Sequence, residues 1–120
     1  MSKIMIVDDS SFIRLRLKNI LKERKHDIVE AKSGPEAVML FKKEKPDLVF
    51  LDIIMPEGEE EGVNILKEIM KIDSKTKVLM LTAVGYDKIV AECKSIGAKE
   101  YIIKPFTEEE VLGMVDKYLA

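Results

Sequence analysis

Five short apolar runs alternate with amphipathic segments, and this alternation restricts the possible folds more than any other feature. Each run is only a few residues long, and together they occupy residues 4–7, 28–29, 48–51, 78–81 and 101–103. Continuous apolarity over so short a length is typical of strands that are buried on both faces, as in a parallel sheet between two layers of helices. The run at 28–29 is the weakest of the five.

The segments that follow these runs have helical spacing. Apolar residues recur every three or four positions, as at Ile13, Leu17 and Ile20. Ser33 and Thr107 are suited to begin helices, and Gly97 to end one. A strand–helix unit repeated five times requires right-handed crossovers. The sequence therefore predicts an α/β fold: one domain over residues 1–120, with a flavodoxin-like, doubly wound, five-stranded parallel sheet of order 2-1-3-4-5 and five helices.

Charge and composition exclude several classes of protein. Lys and Arg number 20 against 22 Asp and Glu, a net charge of -2, whereas a general nucleic-acid binder needs a basic surplus. We therefore expect no DNA binding by this chain. No run approaches the ~20 apolar residues of a membrane span, and the N-terminus lacks a signal-peptide pattern. One cysteine, Cys93, excludes an internal disulfide. We expect a cytoplasmic protein with no membrane contact.

Polar side chains follow four of the apolar runs at the point where each predicted strand ends. Asp8 and Asp9 follow the first run, Asp52 the third, Thr82 the fourth and Lys104 the fifth. The carboxyl ends of parallel strands share one edge of the sheet, where ligands bind in doubly wound folds. Each Asp alone could be an ordinary helix cap or turn residue. The full set at matching strand ends favours one shared site.

Three carboxylates at one site repel each other and so favour a bound cation. An all-oxygen set of protein ligands is typical of a hard divalent ion, and Mg²⁺ suits a site that keeps several waters. Lys104 adds a mobile positive charge, and the Thr82 hydroxyl can donate to a phosphoryl oxygen. A carboxylate nucleophile with these groups is typical of phosphoryl transfer.

With these motifs the chain resembles the receiver domains of bacterial and archaeal response regulators over almost its whole length. The resemblance lies in four segments, namely Val7-Asp8-Asp9-Ser10, Leu51-Asp52-Ile53-Ile54-Met55-Pro56, Leu81-Thr82-Ala83 and Lys104-Pro105-Phe106. It implies that Asp52 is the phosphoacceptor. It also implies that Mg²⁺ is bound by Asp8, Asp9, Asp52 and the backbone carbonyl of Ile54. Thr82 and Lys104 would contact the phosphoryl group, and the bond before Pro105 would be cis.

The resemblance also implies a function. A histidine kinase would donate a phosphoryl group to Asp52, Thr82 would move toward it, and Tyr101 would swing from exposed to buried. With no effector domain in view, we expect a stand-alone receiver that switches binding to a protein partner and catalyses only its own phosphorylation and dephosphorylation. The segment from Asp8 to Arg14 resembles chemotaxis-type receivers that bind the flagellar motor switch. A phosphorelay intermediate, which passes the phosphoryl group to a second protein, is the main alternative.

Three alternatives from other classes are weaker. A phosphatase with an aspartyl-phosphate intermediate would carry two acids separated by one residue after the first strand, whereas Asp8 and Asp9 are adjacent. A flavin carrier of this fold would place a phosphate beside the same two acids, which would repel it. A pseudo-receiver that only binds partners would not need the complete set of site residues.

Two departures from the receiver pattern concern the neighbourhood of Asp52. Five residues separate Pro56 from Gly62 where the family usually has three, and the insertion is acidic: Glu57, Gly58, Glu59, Glu60 and Glu61. This loop is either a solvated connection or a modulator of metal affinity or partner choice. In addition, Ile54 and Val84 are apolar at two positions that influence hydrolysis of the acyl phosphate in the family. We therefore expect a long-lived phosphorylated state.

Overall fold

The structure is a computed structural model that describes residues 2–55, 58 and 60–119, and it consists of five strands and five helices in strict alternation. The strands are β1 (Lys3–Val7), β2 (Asp27–Ala31), β3 (Leu48–Asp52), β4 (Lys77–Thr82) and β5 (Glu100–Ile103). The helices are α1 (Ser11–Leu21), α2 (Gly34–Glu44), α3 (Glu61–Ile72), α4 (Asp87–Ile96) and α5 (Glu108–Leu119). Pro56 and two residues of the acidic loop, Glu57 and Glu59, lie outside the described residues.

The strands form one parallel sheet in the order β2-β1-β3-β4-β5, which confirms the predicted fold. The order reverses between β1 and β3, so the connections after these two strands run to opposite sides of the sheet. In the register of the sheet, Val7 lies opposite Leu51, and Asp52 lies opposite Leu81. The last residues of the three central strands therefore lie close together at one edge.

The core consists of two layers, one on each face of the sheet. Alternate residues of β1 show this division: Met5 and Val7 pack in one layer, and Ile4 and Ile6 pack in the other. The first layer includes side chains from α2, α3 and α4, and the second includes side chains from α1 and α5. Because β1, β3 and β4 contribute to both layers, their short sequences contain almost no polar residues before the last position.

The two outer strands differ from this pattern because each has a strand neighbour on only one side. Continuous apolarity predicts burial on both faces of β5, yet Tyr101 and Ile103 are 41% and 40% exposed while Ile102 between them is buried. In β2, three of the five residues are half-buried and only Ala31 is fully buried. Position in the sheet, which a single run of residues does not encode, decides this difference.

The residues predicted to begin or end helices do so in the structure. The Ser33 hydroxyl accepts a hydrogen bond from the Glu36 amide at the start of α2. Thr107 and Glu110 cap each other at the start of α5, since each side chain accepts from the other residue's amide. Gly97 ends α4 with a φ of 144°, a conformation that favours glycine. No helix within the described residues has the length and apolar character needed to cross a bilayer.

Candidate functional site

The sheet brings the predicted site residues to one edge. Asp8 follows β1 directly, Asp52 ends β3, Thr82 ends β4 and Lys104 follows β5. β1 and β3 are neighbours at the point where the strand order reverses, so Asp8 and Asp52 lie side by side. The peptide bond between Lys104 and Pro105 is cis, as the resemblance to receiver domains implies, and the Lys104 amide donates to the carbonyl of Thr82 at 2.7 Å.

Three carboxylates converge at this edge. One oxygen from each of Asp8, Asp9 and Asp52 lies within 4.8 Å of the other two. Their exposure differs, since Asp8 and Asp52 are only 1% and 5% exposed, whereas Asp9 is exposed to solvent. The cluster is therefore open to solvent and ligands on the side of Asp9 and closed by the protein on the other side.

The Lys104 ammonium bridges the two buried carboxylates. Its Nζ atom lies 2.9 Å from Asp8 Oδ2 and 3.3 Å from Asp52 Oδ1. Asp8 Oδ1 also accepts a hydrogen bond from the Ser10 amide at 2.9 Å, so both oxygens of Asp8 are engaged. One positive charge in contact with two negative ones reduces their repulsion but leaves the cluster with a net negative charge, which favours a further cation.

The environment of Asp52 raises its pKa to about 6. Burial is the largest cause because it disfavours the charged carboxylate, and the nearby charge of Asp8 adds to it. The Lys104 ammonium and a hydrogen bond from the Ile54 amide, at 3.3 Å, lower the pKa but do not cancel the increase. A shift of this size on a carboxylate in an open cluster is typical of a functional site.

Thr82, Ile54 and Tyr101 have local contacts at or near this edge. Thr82 is 2% exposed, and its hydroxyl donates to the Ala83 carbonyl at 3.1 Å. The amide of Ile54 contacts Asp52, whereas the role of its carbonyl as a metal ligand stays a prediction. Tyr101 is in the exposed orientation, with Lys94 Nζ 5.6 Å from the centre of its ring.

Gly62 supports the site, although the sequence pattern marks this residue only as the end of the acidic loop. It lies in the first turn of α3 and donates its amide to the Ile53 carbonyl at 3.2 Å. A Cβ atom at this position would collide with the Ile53 carbonyl oxygen and lie 2.6 Å from that of Asp52. Glycine thus allows α3 to pack directly on the backbone that carries Asp52, a close approach that no sequence motif indicated.

The donor set fits a hard divalent cation such as Mg²⁺. Two oxygens on opposite sides of one octahedral Mg²⁺ lie about 4.2 Å apart, given metal–oxygen distances near 2.1 Å. The carboxylate oxygens here lie within 4.8 Å of one another, so small side-chain movements would bring them to coordinating distance. Asp8, Asp9 and Asp52 supply only oxygen ligands, and the exposure of Asp9 leaves room for the waters that Mg²⁺ retains.

Comparisons with known proteins identify the family. The family model described as the response regulator receiver domain matches residues 4–116, and the chain belongs to this family. It is 41% identical to the chemotaxis protein CheY of Bacillus subtilis over 118 residues, which is 98% of this chain and 97% of that protein. It is 37% identical to sporulation initiation phosphotransferase F of the same species, over 98% of this chain and 93% of that protein.

A solved structure shows the same fold. The receiver domain of NtrX from Brucella abortus is 28% identical and superposes with a TM-score of 0.90, over 97% of both chains. The five-stranded sheet and five helices of this chain are therefore those of the receiver fold, as the sequence predicts.

The raised pKa of Asp52 predicts that Asp52→Asn stabilises the fold when no divalent cation is present. In the unfolded chain the carboxyl ionises near pH 3.8, but in the folded chain it ionises only near 6. Stability is therefore lost as the pH rises between these values, and the neutral Asn escapes this loss. We expect a gain of roughly 1–3 kcal/mol at pH 7, measured by urea unfolding in EDTA.

The gain should be smaller at pH 4.5, where the folded Asp52 is still protonated. Added Mg²⁺ should stabilise the wild type more than the Asn variant, since binding to the folded state alone adds to stability. If the two proteins are equally stable at pH 7 and at pH 4.5, the surroundings of Asp52 do not raise its pKa.

Gly62→Ala should destabilise the protein and weaken Mg²⁺ binding together, because its Cβ must displace the backbone of Asp52 and Ile53. Overpacking of this kind costs about 1–3 kcal/mol. Gly113→Ala is the matched control, since a Cβ at Gly113 meets nothing within 4 Å and lies within α5. That control should gain about 0.5–1 kcal/mol in urea unfolding. A Gly62→Ala variant as stable as the wild type would contradict the close packing.

Proposed function

We propose that the chain is a phosphorylation-controlled switch of two-component signalling, in which Asp52 accepts a phosphoryl group from a phosphohistidine of a kinase. The observation that carries this proposal is the cluster itself, where Asp52 lies beside Asp8 and Asp9 with the Lys104 ammonium in contact with the two buried acids. Membership of the receiver family supports the same conclusion.

In the proposed reaction an oxygen of Asp52 attacks the phosphorus atom. The bond between phosphorus and the histidine nitrogen breaks, the imidazole leaves, and an acyl phosphate forms on Asp52. Within the described part of the chain, the contacts of Asp52 with the Ile54 amide and Lys104 are made by Oδ1, so the second oxygen would be the nucleophile. Bound Mg²⁺, held by Asp8, Asp9, Asp52 and the Ile54 carbonyl, would neutralise charge on the transferred group.

Lys104 and Thr82 would receive the new negative charge. The Lys104 ammonium is on a flexible stem and 24% exposed, so it can turn from Asp8 toward a phosphoryl oxygen on Asp52. The Thr82 hydroxyl now donates to the carbonyl of Ala83, a bond to a neutral acceptor. A phosphoryl oxygen is a stronger acceptor, which favours reorientation of this hydroxyl toward Asp52.

Reorientation of Thr82 would change the surface formed by α4, β5 and α5. Tyr101 lies opposite Met80, two residues before Thr82 in the neighbouring strand, and is half exposed at the edge of the sheet. Movement of Thr82 toward the phosphoryl group would vacate space behind it, into which the Tyr101 ring can move. The two ring positions present different surfaces to a protein partner, which is how a local charge change is converted into a binding signal.

The names of two relatives suggest which downstream partner this chain binds, and we propose the partner on that basis. One relative is named for chemotaxis and another for phosphotransfer in sporulation, at 41% and 37% identity. Together with the chemotaxis-type segment from Asp8 to Arg14, the closer match favours a flagellar motor switch as the partner. A relay protein that takes the phosphoryl group onward is the second candidate.

An exposed apolar surface beside the site is suited to the phosphodonor. Phe12 and Leu15 are 71% and 55% exposed on α1, the helix that begins two residues after Asp9. They line a cleft of about 350 Å³ with Arg16 and Glu108. A donor domain seated here would bring its phosphohistidine to the adjacent cluster, so we propose this surface as the docking site of the kinase.

Incubation with acetyl phosphate and Mg²⁺ should produce a single phosphoryl adduct by intact mass, and EDTA should abolish it. Asp52→Asn should produce none because its amide cannot attack phosphorus. Lys104→Ala should slow the reaction, since one charge that offsets the transferred group is lost. An unmodified wild type would favour a pseudo-receiver, and an adduct on the Asn variant would place the acceptor elsewhere.

The phosphorylated protein should lose its phosphoryl group slowly. Ile54 and the 80% exposed Val84 have apolar side chains that cannot orient an attacking water. Val84→Gln should shorten the lifetime, measured as phosphate release after removal of the donor. Fast spontaneous loss from the wild type would contradict this expectation, and transfer of the label to a histidine of a second protein would favour the relay alternative.

Phe12→Ser should slow phosphorylation by a kinase and leave phosphorylation by acetyl phosphate unchanged, because only the kinase needs the docking surface. Met39→Ser is the matched control, since Met39 is 59% exposed on α2 and does not line the cleft. Initial rates with both donors give the comparison. If Phe12→Ser reacts at the wild-type rate with the kinase, the donor docks elsewhere.

A further inference from the structure

Arg14 of α1 contacts the backbone of the acidic cluster. Its Nη1 atom donates to the backbone carbonyl of Asp8 at 2.7 Å, and its Nε atom donates to Glu30 Oε1 at 3.1 Å. The Arg14 side chain is only 15% exposed, so these two bonds hold a largely buried guanidinium in one orientation. A hydrogen bond from a charged donor to a carbonyl is stronger than a neutral one.

Glu30 anchors Arg14 from the neighbouring strand. It lies in β2 opposite Ile6 of β1, and its second oxygen accepts from Lys18 Nζ at 3.0 Å. Burial alone would raise the pKa of Glu30, but hydrogen bonds from Lys18 and Arg14 lower it below its ordinary value. Glu30 is therefore ionised at neutral pH and pairs with both cations of α1.

The bond from Arg14 bears on Asp9 more than on Asp8. Asp8 has three further contacts, since its amide donates to the Ala31 carbonyl at 3.1 Å and its two side-chain oxygens accept from Ser10 and Lys104. Asp9 is exposed, and among the described residues its carboxylate has no hydrogen bond or ion pair. The Asp8 carbonyl and the Asp9 amide belong to one planar peptide unit. A bond to that carbonyl therefore fixes the plane from which Asp9 extends.

We infer that Arg14, held by Glu30, is a positioning residue that orients the Asp8–Asp9 peptide so that the Asp9 carboxylate faces the other two acids. The inference rests on the proposed function in one respect, namely that the cluster binds Mg²⁺. Arg14 acts through the backbone, whereas the ligands proposed for the cation are on Asp8, Asp9, Asp52 and Ile54. Outer contacts of this kind commonly set metal affinity.

The direction in which the Mg²⁺ affinity changes when Arg14 is replaced distinguishes a positioning role from a purely electrostatic one. Arg14 places a positive charge close to a site for a cation, so its charge alone opposes Mg²⁺ binding. Loss of that charge by Arg14→Gln should therefore raise Mg²⁺ affinity if electrostatics dominates. Loss of the bond to the Asp8 carbonyl should lower the affinity if positioning dominates.

Calorimetric titration of Arg14→Gln with Mg²⁺ should give a Kd about 10-fold higher than that of the wild type. Arg24→Gln is the matched control, because Arg24 also belongs to an arginine–carboxylate pair, with Asp116 at 2.8 Å, between the end of α1 and α5. This control should bind Mg²⁺ with the wild-type Kd. Thermal unfolding in EDTA reports the stability of each variant separately from its Mg²⁺ affinity.

Glu30→Gln should also weaken Mg²⁺ binding, by less than Arg14→Gln does, because Arg14 would keep its bond to Asp8 but lose its anchor. The Arg14→Gln/Glu30→Gln double variant should bind Mg²⁺ about as weakly as Arg14→Gln alone, since Glu30 acts only through Arg14. Arg14→Lys keeps the charge but not the fork of donors, so its Kd should lie between those of the wild type and Arg14→Gln.

A second measurement in the absence of metal tests the positioning directly. The backbone order parameter of the Asp9 amide should be about 0.85 in the wild type and clearly lower in Arg14→Gln, as measured by NMR relaxation. An unchanged or lower Kd in Arg14→Gln, or an unchanged Asp9 order parameter, would overturn the inference. If Arg14→Gln does not fold, the same two readouts on Arg14→Lys decide it. Failure of the proposed function is separate, since it would appear as a wild type that accepts no phosphoryl group.

Discussion

Repulsion among three carboxylates at one sheet edge is the constraint around which the rest of this structure is arranged. Two of the three are almost fully buried, and oxygens of all three lie within 4.8 Å of each other. At ~5 Å and an effective dielectric constant near 20, one like-charge pair costs roughly 3 kcal/mol. The Lys104 ammonium between Asp8 and Asp52 offsets part of this cost. Burial, and after it the remaining repulsion from Asp8, raises the pKa of Asp52, and the net negative charge of the cluster makes a divalent cation favourable.

The packing of the hydrophobic core offsets the destabilisation that the buried like charges cause. The interior residues of β1, β3 and β4 are apolar and pack into core layers on both faces of the sheet. Their buried side chains lie behind the cluster and hold the strand ends in register. Gly62 adds to this support, because it lets α3 contact the backbone of Asp52 and Ile53 with no side chain between them. A rigid scaffold with charge concentrated at one edge is suited to a reaction that depends on positioning and electrostatics.

The same contacts connect the cluster to two surfaces. Through Arg14, the backbone of Asp8 is tied to α1, the helix that carries the exposed Phe12 and Leu15. On the other side, the Lys104 amide is bonded to the Thr82 carbonyl, which joins the end of β5 to the end of β4. The cluster is therefore bonded to the helix that carries the exposed apolar residues and, through Lys104, to the ends of the last two strands.

The alternation of apolar runs and amphipathic segments determined the fold class, the strand order and the edge at which the site forms, because these depend on local periodicity and general handedness. Motif spacing likewise predicted a shared site at Asp8, Asp9, Asp52, Thr82 and Lys104, and the sheet brings these residues to one edge. The predicted order already placed β2 and β5 at the edges of the sheet. Only the tertiary structure showed that Tyr101 and Ile103 of β5 are exposed although their run is as apolar as the central ones, because exposure at an edge depends on which side chains pack over it. The roles of Gly62 and Arg14 also required it, since each depends on a backbone carbonyl brought close by packing. Every residue has a backbone carbonyl, so the sequence pattern does not indicate which carbonyl another residue will contact in the folded chain.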